Sequence, residues 1–274
     1  MTSLKFFNPR RWIFGRHRRN PLVGMLARQC AKVTLAYDNN DYYMYRNGES
    51  TVVARLAETL WAGRRPVVFD VGANDGEWAL MALARQRDMA LHAFEIVPET
   101  HGILRDHLQA YLDAEPRPVL NAFGLFRDER EIEVWSNYGS NSAGVMPHPD
   151  AEDNACIRAK VTTGDAYLAS VGTDRIDYLK IDVEGAEYDV LLGFADALAA
   201  GRVALLQFEY GPYNIPARRL LIDFYELLGD HGYTVGKIYP GHVEFGPYAT
   251  ALETLRPGNF LAAAPGIDTA FLSG

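Results

Sequence analysis

The chain has 274 residues, of which 48% are hydrophobic and 23% charged, and its formal net charge is −8 at neutral pH. This composition is ordinary for a globular protein, and the length fits one sizeable domain with a modest extra segment at one end. No run approaches the roughly 18 to 20 consecutive apolar residues of a membrane-spanning helix, so we expect no transmembrane segment. Cys30 and Cys156 are too few and too far apart for a disulfide framework, which favours a cytoplasmic location.

Positive charge is concentrated near the N-terminus. Residues 1–32 contain eight Lys or Arg residues and no Asp or Glu. Such a segment could contact an anionic membrane surface, nucleic acid or a phosphorylated glycan carrier, but a solvated helical extension is the simpler interpretation. We predict a basic N-terminal helical extension over residues 1–60, with a short strand at Tyr42–Tyr45, and a main domain over residues 61–274.

After residue 65, short apolar runs alternate with helical stretches. The predicted strands are Val67–Phe69, Leu91–Phe94, Val119–Ala122, Ile176–Ile181 and Val203–Phe208. The predicted helices are Glu77–Arg85, Thr100–Tyr111, Ala186–Leu192 and Arg218–His231. This alternation indicates an α/β fold with a parallel sheet and helices on both of its faces.

Two parts of the chain interrupt the alternation. Glu131–Trp135 and Ile157–Thr162 have the pattern of an inserted antiparallel pair, joined by a polar loop (residues 136–153) that we expect to close over a ligand. Near the end, Tyr233–Ile238 and Asn259–Ala263 are predicted strands joined by a long Gly/Pro-rich loop. We therefore predict a mainly parallel sheet of seven strands with an antiparallel strand at its C-terminal end.

A glycine turn follows the first predicted strand, with the pattern D-x-G-x-N-x-G over Asp70–Gly76. Gly72 can adopt positive φ and lets the backbone approach a ligand, and Gly76 permits close packing where the next helix begins. Asp70 and Asp75 disfavour a pyrophosphate and suit a ligand with a cationic sulfonium and an amino group. We assign the cofactor-binding residues of this turn as follows: Asp70, Gly72, Asn74, Asp75 and Gly76.

The second and third predicted strands add two further candidates. Glu95 ends the second strand, where its two oxygens can accept hydrogen bonds from both ribose hydroxyls of a nucleoside. Asn121, near the end of the third strand, is a candidate for contact with the adenine ring. The sequence therefore predicts a nucleoside-containing cofactor at this edge of the sheet.

The run K-I-D-V-E-G-A-E-Y-D-V-L-L-G at Lys180–Gly193 is far more specific than a glycine turn. Together with Asp70–Gly76, Phe94–Glu95 and a T-x-x-D segment at Thr162–Asp165, it resembles the hallmark of the FkbM family of methyltransferases. The resemblance covers about residues 40–265.

The resemblance implies a Rossmann-like class I methyltransferase fold and S-adenosylmethionine as the cofactor. It also implies transfer of a methyl group to a hydroxyl, commonly that of a sugar in a glycan or a glycosylated metabolite. Thr163-Gly164-Asp165 stands where a Leu-Asp-Asp-like segment is frequent in the family, so no cofactor role is assigned to that segment.

Three carboxylates are expected to face one cleft. Asp182 and Glu209 end adjacent strands, and Glu184 lies two residues beyond Asp182. They could orient the amino group of the cofactor, accept a proton from the acceptor hydroxyl, or hold a hard cation such as Mg²⁺. Our candidates for the general base are Asp182, then Glu209, then His242, whose ordinary pKa suits the role.

Three rival functions remain open at this stage. A methyltransferase acting on nucleic acid or another small molecule is one, although the acidic body disfavours phosphate-rich substrates. A nicotinamide oxidoreductase is opposed by the glycine spacing, and a non-catalytic scaffold by the intact Asp70, Glu95 and Asp182. The oligomeric state cannot be predicted from the sequence.

Overall fold

In this computed structural model, residues 14–137, 143–146 and 154–273 are described. Most of the polar loop expected to close over a ligand lies outside these ranges. The chain divides into two compact units, residues 1–41 and residues 42–274, so the boundary predicted at residue 60 falls inside the second unit. None of the helices in the described ranges is long and apolar enough to cross a membrane.

The first unit contains helix α1, Pro21–Tyr37. Asn20 caps it, because its side-chain oxygen accepts a hydrogen bond from the Leu22 amide at 2.9 Å. Proline at the first helical position supports this start, since it has no N–H to leave unpaired. No residue of α1 is buried, and its cations are Arg28 and Lys32.

The second unit is built on an eight-stranded sheet with the strand order β11-β10-β12-β9-β8-β1-β2-β3. These strands are β1 Val67–Val71, β2 Ala90–Phe94, β3 Val119–Asn121, β8 Ile176–Ile181, β9 Val203–Tyr210, β10 Thr234–Tyr239, β11 His242–Phe245 and β12 Gly258–Ala263. Neighbours from β3 through β9 are parallel, whereas β12 is antiparallel to both β9 and β10. The predicted α/β class and the antiparallel C-terminal strand are confirmed.

The eighth strand, β11, was not predicted. Tyr239 pairs with His242 across a two-residue turn, so the chain forms a hairpin where the sequence indicated a long loop. The predicted short strand at Tyr42–Tyr45 is wrong. Met44–Asn47 is instead a helical turn, α2, and the left-handed Gly48 (φ 105°) separates it from helix α3, Glu49–Glu58. Buried Met44 favours the helical turn, because it packs into the core beside Val52 and Trp61.

Helices cover both faces of the sheet. They are α4 Glu77–Arg85, α5 Pro98–His107, α6 Gln109–Leu112, α7 Gly164–Val171, α8 Glu187–Leu192, α9 Ala195–Ala199, α10 Asn214–Ala217 and α11 Leu221–Asp230. One apolar cluster includes Phe69, Phe208 and Phe224, and the other includes Trp61 and Tyr178. Because β8 is buried along its whole length, its apolar residues form the centre of this two-sided core.

A second sheet has the strand order β4-β7-β5-β6. Its strands are β4 Gly124–Leu125, β5 Arg130–Asn137, β6 Ala143–Gly144 and β7 Asn154–Thr162. β5 and β7 are antiparallel, with Val134 opposite Ile157, which confirms the predicted inserted pair. This sheet lies in the chain between β3 and β8 and contributes one wall of the cavity described next.

Candidate active site

A cavity of about 490 Å³ opens at the carboxyl edge of the parallel strands. Residues at the ends of β1, β2, β8 and β9 line it, together with residues of the second sheet and of segment 42–49. Ligands of open α/β sheets bind at this edge, because the strand ends and the following turns leave a crevice there. The cavity is therefore the candidate active site.

The glycine turn forms one side of the cavity. Gly72 and Asn74 both adopt positive φ (84° and 51°), and Gly72 lines the cavity with Asn74 and Asp75. A Cβ on Gly72 would overlap the carbonyl oxygen of Asp182, so only glycine allows the turn to lie against the end of β8. Gly76 does not line the cavity; a Cβ there would come within 2.7 Å of Leu104, which confirms its predicted packing role.

Glu95 is held by the same turn. The side chain is only 8% exposed, and its carboxylate accepts hydrogen bonds from the amides of Asn74 (3.0 Å) and Val97 (2.8 Å). Burial raises the pKa of Glu95, and these two hydrogen bonds oppose the rise. Since a carboxylate can accept about four hydrogen bonds, Glu95 keeps capacity for a ligand in the cavity that it lines.

Asp70 does not reach the cavity, contrary to the predicted cofactor contact. It is 0% exposed and lies 3.4 Å from Lys180 Nζ, which also lies 3.1 Å from Asp182 Oδ2. Burial opposes the charge of Lys180, but the carboxylates of Asp182, Asp70 and Glu49 raise its pKa above the ordinary value. Asp70 therefore contributes to the site indirectly, because it pairs with Lys180, the cation that also pairs with Asp182.

Asn121, predicted to contact the adenine ring, also lies outside the cavity. Its amide group donates to the Ala93 carbonyl oxygen at 3.1 Å and its oxygen accepts from the Tyr167 hydroxyl at 3.3 Å. Tyr167 in turn lies 2.8 Å from a ring nitrogen of His92. This buried hydrogen-bond network satisfies Asn121 within the core.

The three predicted carboxylates come together at the opposite side of the cavity. Glu184 follows Asp182 in the turn after β8, with positive φ (54°), and Glu209 lies near the end of β9. Burial, then the charges of Asp182 and Glu187, raise the pKa of Glu184 to about 9. Burial, then the charges of Asp182, Glu184 and Glu187, also raise the pKa of Glu209.

Glu187 supports this turn rather than the cavity. As the first residue of α8, it accepts hydrogen bonds from the amides of Val183 and Gly185, each at 3.1 Å. Burial raises its pKa to about 7 against these hydrogen bonds. The side chain therefore fixes the backbone that carries Asp182 and Glu184.

His242 lies away from this group. It begins β11, and two strands, β10 and β12, separate it from β9. Its ring stacks on Tyr239 and lies 3.0 Å from the exposed Glu244 carboxylate, and it does not line the cavity. The structure therefore does not bring His242 to the carboxylates with which it was predicted to act.

The structure does not support the predicted Mg²⁺ site. Across residues 14–137, 143–146 and 154–273, no group of three or more His, Cys, Asp or Glu side chains has an arrangement that could hold a metal ion. Lys180 Nζ, 3.1 Å from Asp182 Oδ2, already supplies a cation to that carboxylate.

Sequence reasoning missed several residues of the cavity. Tyr42, Tyr43 and Glu49 reach it from the segment before β1, and Trp78 and Asn259 from α4 and β12. Lys180 belongs to the K-I-D-V-E-G run that was recognised in the sequence. A lysine in a buried strand, two residues before Asp182, was the signal that could have identified it. No sequence signal pointed to Tyr42 or Glu49, because only the tertiary fold brings them to the strand ends.

A glycine turn after β1, a buried acid after β2 and acids after β8 and β9 surround one cavity on a sheet with an antiparallel C-terminal strand. This fold and site define a class I S-adenosylmethionine-dependent methyltransferase. Residues 70–235 match the family model described as "Methyltransferase FkbM domain". The chain belongs to the FkbM methyltransferase family.

Two curated relatives and one solved structure are similar to this chain. The AMB antimetabolite synthetase AmbE of Pseudomonas aeruginosa is 28% identical over 74% of this chain, which spans only 11% of AmbE. The hexuronic acid methyltransferase AglP of Haloferax volcanii is 26% identical over 70% of this chain and 76% of AglP. The crystal structure of a methyltransferase FkbM from Methylobacillus flagellatus has 15% identity and a TM-score of 0.48, covering 76% of this chain and 47% of that one.

Proposed function

We propose that this enzyme transfers a methyl group from S-adenosylmethionine to a hydroxyl oxygen of a sugar in a glycan or a glycosylated metabolite. The observation that carries the proposal is that Asp182, Glu184 and Glu209 share one cavity with the glycine turn and Glu95. The similarity to a hexuronic acid methyltransferase supports a sugar as the acceptor. Nucleic acid is a poor candidate, because these acids would repel a phosphate backbone.

The residues on the turn side fit the cofactor. Glu95 can accept hydrogen bonds from the ribose hydroxyls, and Asn74 Oδ1 is buried without a hydrogen-bond partner in the described part of the chain. Gly72 keeps the adjoining space free of a side chain. When bound, S-adenosylmethionine supplies an electrophilic methyl group, and the nearby carboxylates favour its positive charges.

The carboxylates supply the proton acceptor. Asp182 lines the cavity and is paired with Lys180 at 3.1 Å. Asp182 is the group proposed to take up the proton of the acceptor hydroxyl, with Glu209 beside it in the cavity. Such a general base contributes about 10²- to 10⁴-fold to a rate. Its main task is to hold the hydroxyl oxygen in line for transfer.

Titration calorimetry tests the cofactor assignment. The protein is titrated with S-adenosylhomocysteine and, separately, with NAD⁺, and we expect binding of S-adenosylhomocysteine only. Glu95→Ala should weaken that binding by about tenfold or more, because charge-assisted hydrogen bonds to the ribose are lost. Glu58→Ala, an exposed acid of α3 that does not line the cavity, is the control and should bind as the wild type does. Wild-type affinity of Glu95→Ala would remove Glu95 from the site.

Product chemistry tests the acceptor atom. The enzyme is incubated with methyl-labelled S-adenosylmethionine and either methyl β-glucopyranoside or methyl β-glucopyranosiduronic acid. We expect label in both sugars and its retention after mild alkali, since ethers survive conditions that hydrolyse methyl esters. Release of all label as methanol would show carboxyl methylation instead, and no labelled sugar at all would reject a pyranoside acceptor.

A further inference from the structure

Three tyrosines at the mouth of the cavity are strongly exposed. Tyr42 is 64% exposed, Tyr43 46% and Tyr45 51%, and we call these residues the tyrosine segment. Tyr42 and Tyr43 line the cavity. Clustered exposed aromatic surface is costly in water, and in proteins it commonly marks a binding surface.

The backbone of the tyrosine segment is fixed from below. Met44 is buried in the core, and the Asn47 amide group donates to Glu49 Oε1 at 2.7 Å. Gly48 has φ 105°, and a Cβ there would overlap the carbonyl oxygen of Tyr239. The tyrosines are thus exposed on a firmly packed support, so little conformational entropy would be lost when a ligand binds.

The tyrosine segment lies beside the acids proposed to handle the acceptor proton. Partial burial and the charges of Glu209 and Glu184 raise the pKa of Tyr42 to about 12, so its hydroxyl stays protonated near them. The rings of Tyr43 and Tyr45 are 5.4 Å apart, and the Arg46 guanidinium lies 5.1 Å from the Tyr43 ring. The segment combines aromatic faces with a hydrogen-bond donor.

The tyrosine segment and the residues proposed to bind the cofactor come from different parts of the chain. Gly72, Glu95, Asp182 and Glu209 all lie within residues 70–235, which match the family model. The tyrosine segment precedes that range and reaches the cavity from the side of α2. A wall that adjoins the acids without belonging to the glycine turn is suited to the second substrate.

We propose that the tyrosine segment is an acceptor subsite that binds a pyranose ring, with the C–H face of the sugar against an aromatic ring of Tyr42 or Tyr43. The Tyr42 hydroxyl donates to a sugar oxygen and orients the adjacent hydroxyl toward Asp182 and Glu209. Aromatic side chains suit this role, because they combine an apolar face with a polar edge. The subsite rests on the proposed sugar methyltransferase function.

Steady-state kinetics with methyl β-glucopyranoside test the subsite. Tyr42→Ala and Tyr43→Ala should each raise KM for the sugar by about tenfold, with affinity for S-adenosylhomocysteine unchanged. Tyr42→Phe keeps the ring but loses the hydroxyl, so its KM should rise less than that of Tyr42→Ala, while its kcat should fall because the acceptor hydroxyl is no longer oriented. Tyr37→Ala, a highly exposed tyrosine of α1, is the control and should match the wild type.

Saturation-transfer NMR of the same sugar with the S-adenosylhomocysteine complex gives a readout independent of turnover. Loss of the sugar signal in Tyr42→Ala and its retention in Tyr42→Phe would support stacking. If the wild type methylates the sugar and both alanine variants keep its KM, the subsite is overturned while the proposed function stands. If the wild type binds S-adenosylhomocysteine but neither binds nor methylates the sugar, the proposed function fails and the subsite with it.

Discussion

The carboxyl group of Glu184 lies in surroundings that disfavour its ionised form, and this affects both the stability of the protein and the reactivity of the group. It follows Asp182 in a left-handed turn, and one of its oxygens is buried without a hydrogen-bond partner in the described ranges. Ionisation there is unfavourable, because the carboxyl group is buried and the charges of Asp182 and Glu187 lie nearby. The raised pKa thus reflects an environment that stabilises the neutral acid and would make the ionised form a stronger base.

The raised pKa of Glu184 predicts that the protein loses stability as the pH rises. Its pKa changes from 4.5 to about 9 on folding, so between these values the folded state holds a proton that the unfolded state has released. The stabilising contribution is complete below pH 4.5 and is lost as the pH rises through about 9. Glu184→Gln stays neutral, so its melting temperature should exceed that of the wild type by a margin that grows from pH 5.5 to pH 8.5.

Glu131→Gln provides the control for this measurement, because Glu131 is exposed on β5. Its melting temperature should follow that of the wild type at each pH. A Glu184→Gln profile parallel to the wild type would mean that Glu184 is ionised in the folded protein.

At the scale of elements, the turn between β1 and α4 depends on one missing side chain. Gly63 and Gly72 both have positive φ (67° and 84°), but a Cβ on Gly63 would meet no atom within 4 Å. Gly63→Ala should therefore lose only the conformational cost, about 1 to 2 kcal/mol of unfolding free energy. Gly72→Ala should lose about 1 to 3 kcal/mol more, because it must also displace the Asp182 backbone.

Urea unfolding of both variants, with titration of S-adenosylhomocysteine, measures the two effects. Displacement of Asp182 predicts that only Gly72→Ala also loses affinity for S-adenosylhomocysteine. Equal losses of stability and unchanged affinity in both variants would mean that the turn relaxes without disturbing the end of β8.

Local sequence patterns predicted those elements whose residues interact mainly with their sequence neighbours and the core. Helix α4 and strand β8 have the predicted bounds, since an amphipathic period and a buried apolar run are both local signals. The predicted strand at Tyr42–Tyr45 has a local basis, because tyrosine is favoured in strands. In the structure, Met44 is buried against residues later in the chain, and this burial favours a helical turn.

The candidate site was predictable only where the strand order could be inferred. Glu95, Asp182 and Glu209 were found, because acids at the ends of parallel strands meet at one edge. Asp70 has the same pattern, but it is fully buried against Lys180 and does not line the cavity. Asn121 is likewise kept from the cavity by packing, since it bonds with Ala93 and Tyr167.

At the scale of the whole molecule, one buried carboxylate joins distant parts of the second unit. Glu49, the first residue of α3, accepts hydrogen bonds from Gln207 Nε2 (2.7 Å) and Asn259 Nδ2 (3.2 Å), which lie on β9 and β12. Burial raises the pKa of Glu49, while the charge of Lys180 and the hydrogen bonds from Asn47 and Gln207 oppose the rise. The carboxylate thus holds the segment that carries the tyrosines against the centre of the sheet.

Removing this junction should destabilise the whole unit. Glu49→Ala removes the acceptor of Asn259 Nδ2 and one of the two acceptors of Gln207 Nε2, which also donates to Asn259 Oδ1, at about 1 to 3 kcal/mol for each unpaired N–H. Together with the weakened support of Lys180, we expect a loss of about 3 to 5 kcal/mol in the unfolding free energy measured with urea. Glu58→Ala, an exposed acid at the other end of α3, should change it by less than about 0.5 kcal/mol. A loss for Glu49→Ala as small as that of the control would mean that water replaces the carboxylate, and α3 would then depend on its apolar face alone.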